Sequence, residues 1–255
     1  MKKYLLINIC LIVFTALNGQ NADSLYKVYT EEIYYDKGVN KFNSGQYTQA
    51  LYWYEKGIET APLYEENYYG AAKVFFLSTE TVWGVMYGEL FMILSHNDSL
   101  QAEISKELFN AYFESFSLNK GKNTADFNSD IIAYSDSFER RNKFPEIFNS
   151  LMTKAVKGEK FIDIASLISV RRKFLSLINT QETDFKNPLF SYWDGIISSG
   201  HWQAYNYWLF AYGNKSESAT WIREHKQEWN NFLKWKKDNP LLLTEDNFFS
   251  RYLME

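Results

Sequence analysis

Hydrophobic positions in this chain recur mostly at the three- and four-residue spacing of amphipathic helices. The breaks between them carry the glycine, proline and short polar runs of tight turns. The pattern predicts helices over Ser24–Phe42 and Tyr47–Thr60, turning at Asn43-Ser44-Gly45-Gln46, and then over Glu65–Leu77 and Glu80–Leu94. Gln101–Ser117 follows, with Ile104, Leu108, Phe109, Tyr112 and Phe116 on one face. Asn119–Asn128 is polar and reads as a loop. Pro145 stands at the first turn of a helix through Val156. Leu167, Val170, Phe174 and Leu177 give Ile162–Ile178 a helical stripe, although the β-branched residues of Phe161–Val170 leave a strand open. Further on, Pro188–Ile197 and His201–Ala211 flank a turn at Gly200. A last helix runs from Ser216 or Ser218 to Trp235, ended by Asp238-Asn239-Pro240. The fold class is all-α.

The first hairpin is the best formed. Gly45 permits a left-handed turn, Ala50 is small where two helices must approach, and Tyr54 one turn on can fill the space between them. Gly38 and Gly57 allow further close contact, and Pro62 ends the unit. Gly38, Gly45, Tyr47, Ala50, Tyr54, Gly57 and Pro62 together resemble the tetratricopeptide repeat. Tyr34 stands where that family usually has tryptophan, and Lys37 departs from its preferred leucine. The resemblance implies a period of about 34 residues. Tyr68 then falls beneath Tyr34, Ala72 beneath Gly38, Gly84 beneath Ala50 and Gly88 beneath Tyr54, a second and worn repeat without the turn glycine. It also implies helical hairpins packed against further helices in an α–α superhelix. Residues 62–95 and 200–240 are similar, in addition, to an uncharacterised family of exported tetratricopeptide-like proteins from Bacteroidetes. That likeness is carried by Ser78-Thr79-Glu80, Val82-Trp83-Gly84, Tyr87-Gly88-Glu89, Ala204-Tyr205-Asn206-Tyr207-Trp208-Leu209 and Trp229-Asn230-Asn231-Phe232.

The N-terminus changes the picture of where the chain works. Lys2 and Lys3 precede an apolar run over Tyr4–Leu17 and a polar Asn18-Gly19-Gln20, the order of a secretory signal peptide cleaved within Asn18–Ala22. The run falls short of the roughly 20 residues that span a bilayer. Cys10, the only cysteine, leaves with it, so the mature chain folds without disulfides. The expected organisation is a signal peptide over 1–20, repeats and a following helix over 21–118, and an aromatic-rich helical region over 119–255 packed with the repeats as one composite domain. The address is the periplasm or the outside of the cell. Losing Lys2 and Lys3 takes the formal net charge from −4 to −6. The remaining basic clusters are short, so a nucleic-acid partner is not expected.

Candidate chemistry is sparse. His96, His201 and His225 have no partner at metal-ligand spacing. Neither a catalytic residue, a metal site nor a cofactor is assigned. Glu89 stands out, because it follows Gly88 on an otherwise apolar helix, where a buried carboxylate needs a partner. By the repeat resemblance, in which the first helix of each hairpin is the A helix and the second the B helix, the A helices line a groove, which implies Glu32, Tyr35, Val39, Asn43, Glu66, Tyr69, Lys73 and Leu77 as its face. The function this implies is non-catalytic binding of a protein or peptide in the cell envelope. The alternatives are a structural or oligomer-forming envelope protein whose own C-terminal helices fill the groove, and a hydrolase using buried acids.

Overall fold

The computed structural model describes residues 32–119, 122–128, 143–181, 185 and 187–254. The expected signal peptide and the start of the first helix lie outside these residues. Helix α1 (32–43) and α2 (Tyr47–Thr60) form the first hairpin, and α3 (Glu65–Phe76) and α4 (Thr81–Leu94) the second. Helices α2 and α4 are offset by 34 residues at both ends, so the period read from the first hairpin holds in the helix boundaries.

Successive helices pack on one another from α2 through α5 (Asp98–Ser115), giving a helical-repeat arrangement. The N-terminus of α5 is capped by Asn97, whose side-chain oxygen accepts the Leu100 N–H at 3.2 Å, three residues before the expected start. Where a third B helix would follow, the chain makes a two-stranded antiparallel hairpin. Phe116 of β1 (Phe116–Ser117) faces Ala125 of β2 (Thr124–Ala125), within the expected loop.

The C-terminal body holds α6 (Phe144–Ala155), α7 (Ile164–Ile178), α8 (Pro188–Ser198), α9 (Trp202–Leu209), α10 (Lys215–Glu224) and α11 (Lys226–Asp238). Helix α9 lies against α7, α8, α10 and α11. The strand alternative for 161–170 is overturned. Asp163 and Ser166 close a capping box that starts α7, and the helical stripe is buried. The single last helix is likewise corrected to two. The break falls at His225, whose ring stacks on Trp221 at 4.6 Å and whose Nδ1 lies 3.0 Å from the Trp221 carbonyl. A short 3-10 turn over Arg251–Met254 brings the C-terminal strap back to the repeats.

Two turn glycines carry matching geometry. Gly45 and Gly200 have φ of 71° and 77°. In both, the glycine N–H and the next N–H reach back to helix carbonyls in the reciprocal pattern that terminates helices, Gly45 to Phe42 and Gln46 to Lys41, Gly200 to Ile197 and His201 to Ile196.

The core is centred on α4, buried on every side from Val82 to Ile93. Phe144, Phe148, Phe174, Phe190 and Trp193 extend it into the C-terminal body, each ring within 6 Å of another. In the repeats, Tyr54 is gripped between two glycines. A Cβ at Gly38 would lie 2.2 Å from its ring and one at Gly70 2.4 Å from it. Because the ring is pinned from both sides it has nowhere to retreat. Gly70→Ala is therefore expected to cost about 1–3 kcal/mol by overpacking, read as a lower urea midpoint, while alanine at exposed Gly195, whose Cβ would meet nothing, costs far less.

Candidate functional site

The B-helix side of the repeats is closed by two ion pairs, each built on a buried carboxylate. Glu89 on α4 is 1% exposed. One of its oxygens accepts from the Arg171 guanidinium on α7, from Trp193 Nε1 on α8 at 2.6 Å and from the Tyr205 hydroxyl on α9. A second guanidinium nitrogen donates to Asn206 Oδ1, and Asn206 Nδ2 donates to the Trp202 carbonyl at 2.7 Å. The guanidinium carbon lies 4.4 Å from the Trp193 ring centre and 5.1 Å from that of Trp202, a cation held among aromatic faces. Burial pushes the Glu89 carboxyl above its ordinary value, and Arg171, Tyr205 and Trp193 hold it back. Burial alone would lower Arg171, but the neighbouring Glu89 charge outweighs it and raises it.

The second pair repeats the device one period earlier. Glu55 on α2 stands 34 residues before Glu89, at the same position of its helix, and is also buried. It accepts from Tyr87 at 2.9 Å and from Arg251 Nε at 2.7 Å, while the Arg251 backbone N–H donates to the Tyr87 hydroxyl at 3.1 Å. Phe249 adds an edge contact to Tyr87 at 5.1 Å. Thus α7–α9 cover α4 as the C-terminal strap covers α2. The period placed Glu55 beneath Glu89 in the sequence, and that was the available signal for this second site.

The A-helix side is different. Of the expected groove residues, Tyr35 is partly exposed, its ring 5.9 Å from Tyr54 and 6.4 Å edge-on from Tyr64. Glu66 is also half-buried, and Glu32 is exposed. Burial raises the Glu66 carboxyl, with Glu65 and Glu32 adding to it, and burial followed by Glu66 and Asp36 raises Tyr35. These groups therefore share one electrostatic neighbourhood. Tyr69 donates to Glu103 of α5 at 2.9 Å, its ring lies 5.3 Å from Phe91, and Lys73 pairs with the same Glu103 carboxylate. Burial opposes ionisation of Glu103, yet Lys73 and Tyr69 bring its carboxyl below the ordinary value. Val39 is partly buried on the core. Asn43 is exposed at the turn and Leu77 is 62% exposed, and neither joins the tyrosine cluster.

Among the described residues, no group of three or more His, Cys, Asp or Glu side chains could hold a metal, and no helix is long and apolar enough to cross a membrane. His201 lies between Phe232 and Trp235, where burial lowers its pKa. No family model, no curated protein and no solved structure matches the chain. The class defined by the fold is thus an all-helical, repeat-like protein, and its chemistry must be argued from its own surfaces.

Two outcomes follow. Arg171→Leu leaves Glu89 buried and unpaired, which costs about 3–5 kcal/mol. Glu89→Leu combined with Arg171→Met recovers most of that loss in urea denaturation, whereas equal loss in both variants would mean the site tolerates no apolar filling. For Glu66, the folded carboxyl is raised, so the folded chain binds its proton more readily than the unfolded chain. The stability this confers is present at low pH and falls as pH rises through the folded value. Glu66→Gln should therefore match or exceed the parent in thermal midpoint at neutral pH, with the difference vanishing below about pH 4.

Proposed function

We propose that this chain is an exported, non-catalytic helical-repeat protein of tetratricopeptide type that binds a protein or peptide partner along its A-helix face. One observation carries the reading. The C-terminal body meets the B helices at Glu89 and the C-terminal strap meets them at Glu55, while Tyr35, Glu66, Tyr69 and Lys73 on the A helices keep part of their surface in water. Half-exposed tyrosines give large, rigid contact area with a polar tip, the composition of binding hot spots. The hydrolase alternative needs an acid that substrate can reach, and Glu89 has all but 1% of its surface covered. A periplasmic or secreted address rests on the signal-like N-terminus.

The oligomer-forming alternative has its own support. Tyr52 is 52% exposed beside the partly exposed Trp53 and Tyr34 on the outer side of the first hairpin. A photo-crosslinking amino acid at Leu77, beside the groove, and at Tyr52, tested in the native cell, separates the two. Adducts with a discrete second protein from Leu77, on a chain whose N-terminus lies between Asn18 and Ala22, support the groove reading. Self-adducts from Tyr52 with none from Leu77 overturn it in favour of the oligomer.

A further inference from the structure

The surface where the β1–β2 hairpin meets the connection from α6 to α7 is basic, on a chain whose formal net charge is −4. A cleft of about 780 Å³ opens between the two segments, lined by Lys122 on one side and by Lys157 and Lys160 on the other. Glu159 is the only carboxylate among the described residues that line it, and it already takes the Lys173 ammonium at 3.1 Å. Lys122, Lys157 and Lys160 are exposed and meet no carboxylate among the described residues. An apolar group stands beside them. Phe161 follows Lys160 and is 62% exposed, while its neighbour Ile162 packs on the core. The loop that carries both is braced at each end. Asn123 Nδ2 donates to the Val156 and Glu159 carbonyls at 3.0 and 2.8 Å, and the Asp163–Ser166 capping box fixes the start of α7. Phe161 is thus held in water by a braced loop and forgoes the burial that the other rings of this core gain.

We propose that this surface docks the chain on an anionic phospholipid bilayer, the three ammonium groups receiving headgroup phosphates and Phe161 entering the boundary between headgroups and acyl chains. An ammonium is a point charge that binds phosphate without a fixed fork geometry, which suits headgroups that move. Aromatic rings favour the same boundary layer. Neither signal holds a protein by itself. Surface charge is screened by salt, and a single inserted apolar group gives weak attachment, whereas a basic patch beside an apolar group gives reversible anchoring. A phosphate ester free in solution would use the lysines and leave the exposure of Phe161 without a role. This surface is separate from the A-helix face and does not depend on the groove.

The test is co-sedimentation of the purified full chain with vesicles of equal parts phosphatidylglycerol and phosphatidylcholine, with hydrogen exchange to locate the contact. Vesicles of phosphatidylcholine alone measure whatever the apolar run Tyr4–Leu17 contributes, and inorganic pyrophosphate is the soluble arm. Binding should be stronger to the anionic vesicles, should weaken as salt is raised, and should protect residues 122–124 and 157–161. Combining Lys122→Gln, Lys157→Gln and Lys160→Gln should weaken it roughly fivefold for each lysine removed. Phe161→Ser should weaken it as well and leave its salt dependence in place. All four positions are exposed, so both variants should keep the α-helical circular dichroism of the parent. Equal binding to the two kinds of vesicle, an excess unchanged in both variants, or protection confined to other segments overturns the proposal. Weakening by the lysine variant with none by Phe161→Ser overturns the insertion of the ring. Pyrophosphate that protects the same residues when anionic vesicles do not overturns the lipid assignment in favour of a soluble phosphate.

Discussion

The Glu89–Arg171 pair is the constraint on which the rest of the architecture depends. Taking a carboxylate and a guanidinium wholly out of water is tolerable only when both are met by hydrogen-bond partners with good geometry. Those partners are spread over the chain. Glu89 lies on α4, Arg171 on α7, Trp193 on α8, and Tyr205 and Asn206 on α9. Satisfying the pair therefore fixes four helices against one another, where a purely apolar interface would allow slippage at modest cost. Tyr112 of α5 and Phe210 line the same guanidinium, at 5.8 and 5.3 Å. The aromatic abundance of the C-terminal region finds its use here, since planar rings wall off the ions while Trp193 and Tyr205 still supply donors.

The same physics explains how the repeats are finished. A short stack of helical hairpins leaves apolar surface at its flanks. In this chain the flank along the B helices is closed by one long C-terminal segment, which makes the equivalent contact twice, with Arg171 at Glu89 and Arg251 at Glu55. The contact spans 82 residues in one case and 196 in the other, so Arg251 lies beside the first hairpin. A carboxylate at a repeated position of the B helix has become the docking point for two unrelated segments. Each segment supplies an arginine at the right place and differs in all else, one a helix and the other an irregular strap.

Much of this was legible where local chemistry decides. Gly45 and Gly200 were both read as turn residues, and both adopt left-handed geometry with matching carbonyl contacts. Tyr54 was read as the filler between small residues, and it sits between Gly38 and Gly70. The need of Glu89 for a partner was legible. The identity of the partner was not, because nothing local ties Arg171 to a residue so distant, and an arginine on a helix usually faces water. The break at His225 was hidden for a different reason. Neither glycine nor proline marks it, and the stacking of His225 on Trp221 that accommodates it depends on α10 and α11 both packing near α9. The hairpin of β1 and β2 was missed because helical propensity alone carried the pattern to Ser117, while the Thr153 hydroxyl and the Asn149 side chain of α6 hold the chain there, accepting from the Ala125 and Phe127 N–H groups at 2.9 and 2.8 Å. The groove residues were named through the repeat resemblance, and their division into a neutralised and an acidic half needed the placement of Glu103.

That division bears on what the fold requires and what it leaves free. Among the described residues, the carboxylates that join elements have donors: Arg171 for Glu89, Arg251 for Glu55, and the backbone N–H groups of Ile164 and Ala165 for the part-buried Glu217, at 3.0 Å at the start of α7. For Glu66, burial and the neighbouring Glu65 and Glu32 charges oppose the ionised form, while a backbone hydrogen bond favours it. In the α3–α5 half the Glu103 carboxylate accepts from both the Lys73 ammonium and the Tyr69 hydroxyl. One period earlier Val39 stands in the place of Lys73 and Tyr69 in the place of Glu103, so that ion pair has no counterpart between α1 and α3.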